Sequence, residues 1–201
     1  QLAPAEQWDY PATTQMVLLD IPFQGELRKL LVQVPKHGFV YVLDRVTGKL
    51  LSAEKFTKVT WASGYDLATG RPIENPEADY SKTGKAELVY PGPLGGHNWN
   101  PVSWNPGTGL LYFSELQMPS VYKTDNAVGF KENGRRYNMA LDMAGMMDNP
   151  AFLAELRNPR GSLIAWDVAN AKIAWQVPQP LPTNGGTLST AGNLVFHGTA
   201  D

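Results

Sequence analysis

One carboxylate set between two large aromatics, Trp8-Asp9-Tyr10 in the stretch EQWDYPATTQMVLL, is the first place in this sequence where chemistry could sit. A carboxylate there can serve a turn or act as a general base, and its position alone leaves both open. Lys36, in the turn PKHG, is the second candidate. An ammonium brought close to Asp9 would form either a surface ion pair or a polar floor for a ligand. The glycine-dense loop GPLGGHNWNP, residues 92 to 101, is the third, with the amide of Asn98 beside the indole of Trp99. Such a pair can bond and pack a planar polar ligand, or it can cap a turn and fill a core. His37, His97 and His197 are scattered, and none sits in an H-x-x-x-H pair, which argues against a local zinc motif. The stretch NGGTLSTAGN, residues 184 to 193, lacks the lysine of a phosphate loop, and Ser189 is not in a G-x-S-x-G elbow.

The elements around these residues read as short strands. Residues 15 to 20, 28 to 34, 39 to 44 and 49 to 56 are β-rich runs separated by FQGEL, PKHG and RVTG. Together they predict a four-stranded antiparallel meander. In an antiparallel pair the start of one strand and the end of the next share an edge, so the Asp9 segment and the Lys36 turn should meet at one end of that sheet.

A weak repeat follows, an Asp or Asn with Thr-Gly three residues later: DRVTGKL (44 to 50), DLATGRP (66 to 72) and NPGTGLL (105 to 111), with a degenerate copy in AWDVANAKIAW (165 to 175). The side-chain oxygen accepts backbone N–H bonds within the turn and Gly takes the positive-φ position that closes it. Trp175, after the degenerate copy, is expected to pack between neighbouring sheets. Repeated four-stranded units of this kind predict blades of a β-propeller. Residues 115 to 160 break the pattern and read as a partly helical insertion, in which RRYNMALDMAGMMDNPAFLAELRNP carries four of the six methionines. Those methionines could line an apolar entry or simply fill gaps in a core.

Composition removes several function classes. A hydrophobic share of 43%, a charged share of 18% and a net charge of −2 argue against disorder and against a nucleic-acid partner. The longest apolar runs fall far short of the about 20 residues needed to span a bilayer, and no secretory signal is visible. With no cysteine, thiolate metal sites are excluded.

The stretches WDYPATTQ, LVQVPKHGFVYVLDRVTGKLLSAEKF, VTWASGYDLATGRP, YPGPLGGHNWNPVSWNPGTGLLY, GSLIAWDVANAKIAWQVP and NGGTLSTAGNLVFHGTAD, taken in order, resemble the quinoprotein alcohol dehydrogenases. That family uses pyrroloquinoline quinone and a bound cation in the periplasm. The resemblance covers nearly the whole chain and implies an all-β fold, part of an eight-bladed propeller, with roughly three blades present. Residues 1 to 201 then read as an internal segment of a longer propeller domain.

The resemblance also implies roles at matching positions. Asp9 corresponds to the catalytic base that also approaches the metal, Lys36 to the cation that contacts the quinone carbonyls, and Asn98 and Trp99 to cofactor contacts. The implied reaction is oxidation of a primary alcohol to an aldehyde, with hydride passing to the quinone C5 carbonyl, polarised by the cation as Lewis acid. Lanthanide-using relatives carry a second aspartate two residues after the base, and Pro11 stands there, so calcium is the expected ion. A cytochrome c or similar protein is the implied electron acceptor. Relatives usually have a tryptophan next to the NGG motif, where this chain has Thr183-Asn184. Other parts of the family site are missing from these residues, so the chain alone is expected to bind neither group tightly and to self-associate through open sheet edges. The competing reading is a non-catalytic propeller that assembles other proteins. Such a scaffold would keep the turn repeats but has no need for Asp9, Lys36, Asn98 and Trp99 together.

Overall fold

The computed structural model describes residues 2–125, 141–157, 160–182 and 185–199. The expected meander is present. Strands β1 (Met16–Phe23), β2 (Glu26–Gln33), β3 (Phe39–Asp44) and β4 (Leu50–Lys55) form one antiparallel sheet in chain order. Its register pairs Leu31 with Leu18 on one side and Leu43 on the other. The first hairpin turns on Gln24 and Gly25 alone, so β1 and β2 run further than their apolar cores suggest.

An excursion follows. It holds the hairpin β5 (Ala62–Asp66) and β6 (Arg71–Glu74), a 3-10 turn at Pro76–Ala78, the short helix α1 (Tyr80–Thr83) and β7 (Glu87–Val89). A second four-stranded sheet then forms from β8 (Ser103–Asn105), β9 (Leu110–Gln117), β11 (Arg160–Asp167) and β12 (Lys172–Gln179), again in chain order. Between β9 and β11 come β10 (Ser120–Tyr122), which pairs with β7, and the helices α2 (Met143–Met147) and α3 (Pro150–Leu156). The hairpin β13 (Thr187–Ser189) and β14 (Val195–His197) closes the chain's ordered elements. The architecture is all-β with four-stranded antiparallel blades. The roughly three blades expected correspond to two complete sheets and the hairpin β13–β14.

The turn repeat forms as its chemistry requires. The Asp44 carboxylate accepts from the amides of Val46 and Thr47, both at 2.9 Å, and Asp66 accepts from Ala68 N and the Thr69 hydroxyl. These backbone bonds, Thr47 first, hold the Asp44 carboxyl below the usual carboxylate range. The helical insertion is shorter than expected, because strand pairing continues through Tyr122 and the described helices occupy 143–156. Asn149 caps α3 by accepting from Ala151 N and Phe152 N, with Pro150 at the first helical position. Among the methionines, Met146 accepts from the Ser120 hydroxyl at 3.3 Å and Met147 is exposed, while Met139 lies outside the described residues.

Strand β3 explains how the sheets stack. Val40 and Val42 face one side and join Leu30, Val32, Val102, Leu111, Phe113, Ile164 and Trp166 in a core between the two complete sheets. Phe39 and Tyr41 face the other and pack with Trp8, Tyr10, Trp61, Tyr80 and Tyr122 beneath the excursion. Period-two alternation with both faces apolar is what a strand buried on two sides needs. The tryptophan that packs between sheets is therefore Trp166. Trp175 is 40% exposed, leaning on Tyr112 with ring centroids 5.7 Å apart. A register shift between Ala165 and Trp166 and the edge position of β12 account for the difference.

Among the described residues no helix is long and apolar enough to cross a membrane.

Candidate active site

The sheet edge predicted to join Asp9 and Lys36 does so. Lys36 sits in the β2–β3 turn and Asp9 on the segment leading into β1, and Lys36 Nζ lies 3.1 Å from Asp9 Oδ2. The same nitrogen donates to the Asp9 main-chain carbonyl at 3.0 Å. Burial of the two partners is unequal. The lysine side chain is 10% exposed and the carboxylate 67% exposed, so the cation is fixed in the protein and the anion faces outward.

Asp9 is presented by its neighbours. Trp8 and Tyr10 are buried, and their rings contact Trp61 at centroid distances of 5.5 and 5.9 Å. Trp8 Nε1 donates to Ala78 O at 3.2 Å, and the Tyr10 hydroxyl donates to Pro91 O. Asp9 itself has φ 66°, in the left-handed region. Alternation of buried, exposed and buried side chains on a strained turn pushes the carboxylate out of the core.

Lys36 is positioned by the loop that carries Asn98 and Trp99. Gly95, at φ 82°, lies so close that a Cβ there would meet Lys36 Cγ, Cα and Cβ at 2.5 to 2.6 Å. Gly96 N donates to Lys36 O at 3.0 Å, and Gly96 O accepts from Leu116 N at 2.7 Å. His97 is buried below, with Nδ1 2.9 Å from Ser114 O and Nε2 3.1 Å from Asn100 O. Burial lowers its pKa to about 4 against the pull of those two carbonyls. His37 is also buried, ringed by Tyr10, Tyr41 and Trp61 at 5.6 to 6.0 Å, and burial lowers its pKa to about 4.

The loop residues divide. Asn98 folds back on its own turn, donating to Leu94 O and accepting from Trp99 N, both at 2.9 Å. Trp99 is 69% exposed and fills no core. An exposed indole on the loop whose Gly95 packs against Lys36 fits one side of a site for a flat ligand with electron-rich oxygens. It does not by itself make a cation site. Asp9 is one carboxylate, among the described residues no cluster of three or more His, Asp or Glu could hold a metal ion, and a calcium ion takes roughly 6 to 8 oxygens.

Sequence reasoning placed Asp9 and Lys36 at one sheet edge, and the structure joins them there. It missed Gly95, Tyr80 and Tyr122. The double glycine before His97 was a visible signal for a close backbone approach; nothing local marked the two tyrosines, which reach the carbonyls of Gln7 and Trp8 from α1 and β10. Thr183 and Asn184 lie outside the described residues.

Comparison with known proteins follows the same lines. The quinohemoprotein alcohol dehydrogenase ADH IIB of Pseudomonas putida is 48% identical over 200 residues, covering 100% of this chain and 28% of the relative. The structure of quinohemoprotein alcohol dehydrogenase ADHIIG from Pseudomonas putida HK5 superposes with a TM-score of 0.90 at 43% identity, covering 100% of this chain and 30% of that one. The corresponding enzyme from Comamonas testosteroni gives 0.87 at 40% identity, again over 100% and 30%. The chain thus spans under a third of the length of these relatives. The family model "PQQ: Glucose/ethanol/alcohol dehydrogenase, beta-propeller domain" matches residues 1–64 and 66–201, and the chain belongs to that family of β-propeller proteins.

Proposed function

We propose that this chain carries the base and the quinone-facing cation of a periplasmic, pyrroloquinoline quinone-dependent alcohol dehydrogenase, oxidising a primary alcohol to an aldehyde. The observation that carries this reading is the pairing of a buried Lys36 with an outward Asp9 carboxylate, with the exposed indole of Trp99 on the loop whose Gly95 packs against Lys36. Family membership and relatives named as quinone-dependent alcohol dehydrogenases support it.

When bound, the quinone with a divalent cation supplies a polarised carbonyl that accepts two electrons. This chain's share is acid–base and electrostatic. Asp9, open to solvent on the side away from Lys36, removes the hydroxyl proton of the alcohol. Lys36, buried and closely packed against Gly95, puts a positive charge where oxygens gain electron density. Trp99 and the Asn98 turn present a flat apolar face on the loop that packs against Lys36. Asp9 is also the carboxylate this chain contributes to the cation. Pro11, in place of a second aspartate, favours calcium over a more highly charged ion. A cytochrome c or similar protein would take the electrons onward.

The test is dye-linked oxidation of primary alcohols by the polypeptide that contains this chain, loaded with quinone and calcium. Asp9→Asn is expected to lower kcat by roughly 100-fold or more, in line with loss of a positioned base. Wild-type activity in that variant, or no alcohol oxidation by the loaded parent, would leave the scaffold reading in its place.

A further inference from the structure

Asp9 is among the few residues other than glycine with a left-handed backbone. In that region Cβ crowds the following carbonyl, so the conformation has to be imposed from outside the residue. Three consecutive carbonyls show where the constraint comes from. Gln7 O accepts from the Tyr80 hydroxyl at 2.9 Å, Trp8 O from the Tyr122 hydroxyl at 2.9 Å, and Asp9 O from Lys36 Nζ at 3.0 Å. The Tyr80 and Tyr122 rings are stacked, with centroids 5.4 Å apart and planes 22° apart.

Both phenols are buried, and burial first of all raises their pKa values above the usual tyrosine range. Each therefore stays a donor at any pH the protein meets. Their placement is itself braced. Tyr80 opens α1, which is capped by Asp79, and the Asp79 carboxylate also accepts from the Gln7 amide at 2.9 Å. Burial opposes ionisation of Asp79, but its bonds to Lys82, Ser81 and Gln7 outweigh that and hold it well below the usual range. Tyr122 ends β10, tied to β7 through the pair Tyr122 and Glu87. Neither tyrosine belongs to a four-stranded sheet.

We propose that Tyr80 and Tyr122 are positioning residues for Asp9: a stacked pair of donors that grips the two carbonyls before it and fixes the turn that aims its carboxylate past Lys36. The inference rests on the reading of Asp9 as the base. Phenylalanine at either position keeps the ring and its packing, and removes only the bond to the carbonyl. The effect should therefore be local to the Asp9 turn.

The experiment uses Tyr80→Phe, Tyr122→Phe and the double variant, with Tyr65→Phe as control. The Tyr65 hydroxyl also donates to a backbone carbonyl, that of Leu2, outside the Asp9 turn. Two readouts are taken: the HN–Hα coupling of Asp9 in the unliganded protein, which reports φ, and steady-state alcohol oxidation by the loaded holoenzyme. The double variant should move the Asp9 coupling away from its wild-type value and lower kcat roughly tenfold or more with KM within about twofold, since small misplacements of a reacting group are costly. Tyr65→Phe should change neither. An unaltered Asp9 coupling in the double variant overturns the proposal, as does an equal kcat loss in Tyr65→Phe. Asp9→Asn with undiminished kcat would instead overturn the base reading, leaving the coupling to decide whether the tyrosines hold the turn.

Discussion

Lys36 Nζ meets Asp9 twice, at 3.1 Å to Oδ2 and at 3.0 Å to the main-chain carbonyl, and only the first contact depends on the carboxylate. The two partners should therefore respond unequally to mutation. Asp9→Asn removes one partner of an ion pair whose carboxylate faces solvent, while Lys36 keeps its bond to the Asp9 carbonyl, and is expected to cost within about 1 kcal/mol of stability. Lys36→Met removes both bonds from a buried cation and leaves a carbonyl unpaired, at about 2 to 3 kcal/mol. Urea denaturation of both variants at neutral pH checks this; equal costs would mean that the backbone contact carries nothing.

Gly95→Ala should be more damaging than its size suggests. The added methyl meets the Lys36 main chain and stem at 2.5 to 2.6 Å, on a residue already at φ 82°. The backbone atom cannot swing aside as a flexible side-chain tip would. A loss of about 2 kcal/mol or more is expected, since strain and overpacking act together. Gly25→Ala, at φ 85° with open space around it, separates the two effects because it carries the backbone strain alone.

Trp99→Ala should separate binding from stability. The indole is exposed, so denaturation midpoints should barely move, within about 0.5 kcal/mol. Affinity of the parent protein for quinone should fall roughly tenfold, read by titrating cofactor-free enzyme. A large stability loss with unchanged affinity would assign Trp99 to packing instead.

Acid sensitivity follows from His37. Its imidazole takes a proton at 6.5 in the unfolded chain but at about 4 when folded, because burial disfavours the charged ring. Between those values the unfolded state binds more protons, so stability falls as pH drops through that window and is fully present above it. The contribution is about 3 kcal/mol for one such group. His37→Phe, in a site ringed by Tyr10, Tyr41 and Trp61, should flatten that share of the slope in urea titrations from pH 7 to pH 4. A slope unchanged by the substitution would place the acid sensitivity elsewhere.

Legibility from sequence tracked how local each cause was. The meander, the Asp-x-x-Thr-Gly turns and the shared edge of Asp9 and Lys36 depend on alternation and turn chemistry within about 40 residues, and all three could be read directly. Trp175 was misplaced because a register shift in β11 and the edge position of β12 decide which indole is covered, and neither is written in the spacing. The helical insertion was overextended because its polar residues hid the pairing of β10 with β7, an interaction between segments some 30 residues apart. Tyr80 and Tyr122 escaped for the same reason. Each looks like an ordinary core aromatic until the fold brings α1 and β10 together and their hydroxyls to the Asp9 turn.

Gly96 spans the seam between the two sheets through a single residue. Its N–H donates to Lys36 O in the β2–β3 turn of the first sheet, and its carbonyl accepts from Leu116 N in β9 of the second. The ammonium at Lys36 thus takes its coordinates from both blades at once. Any sliding of one blade against the other reaches the site as a displacement of charge, and the packed layer of Val40, Val42, Phe113 and Ile164 between them is what keeps that charge still.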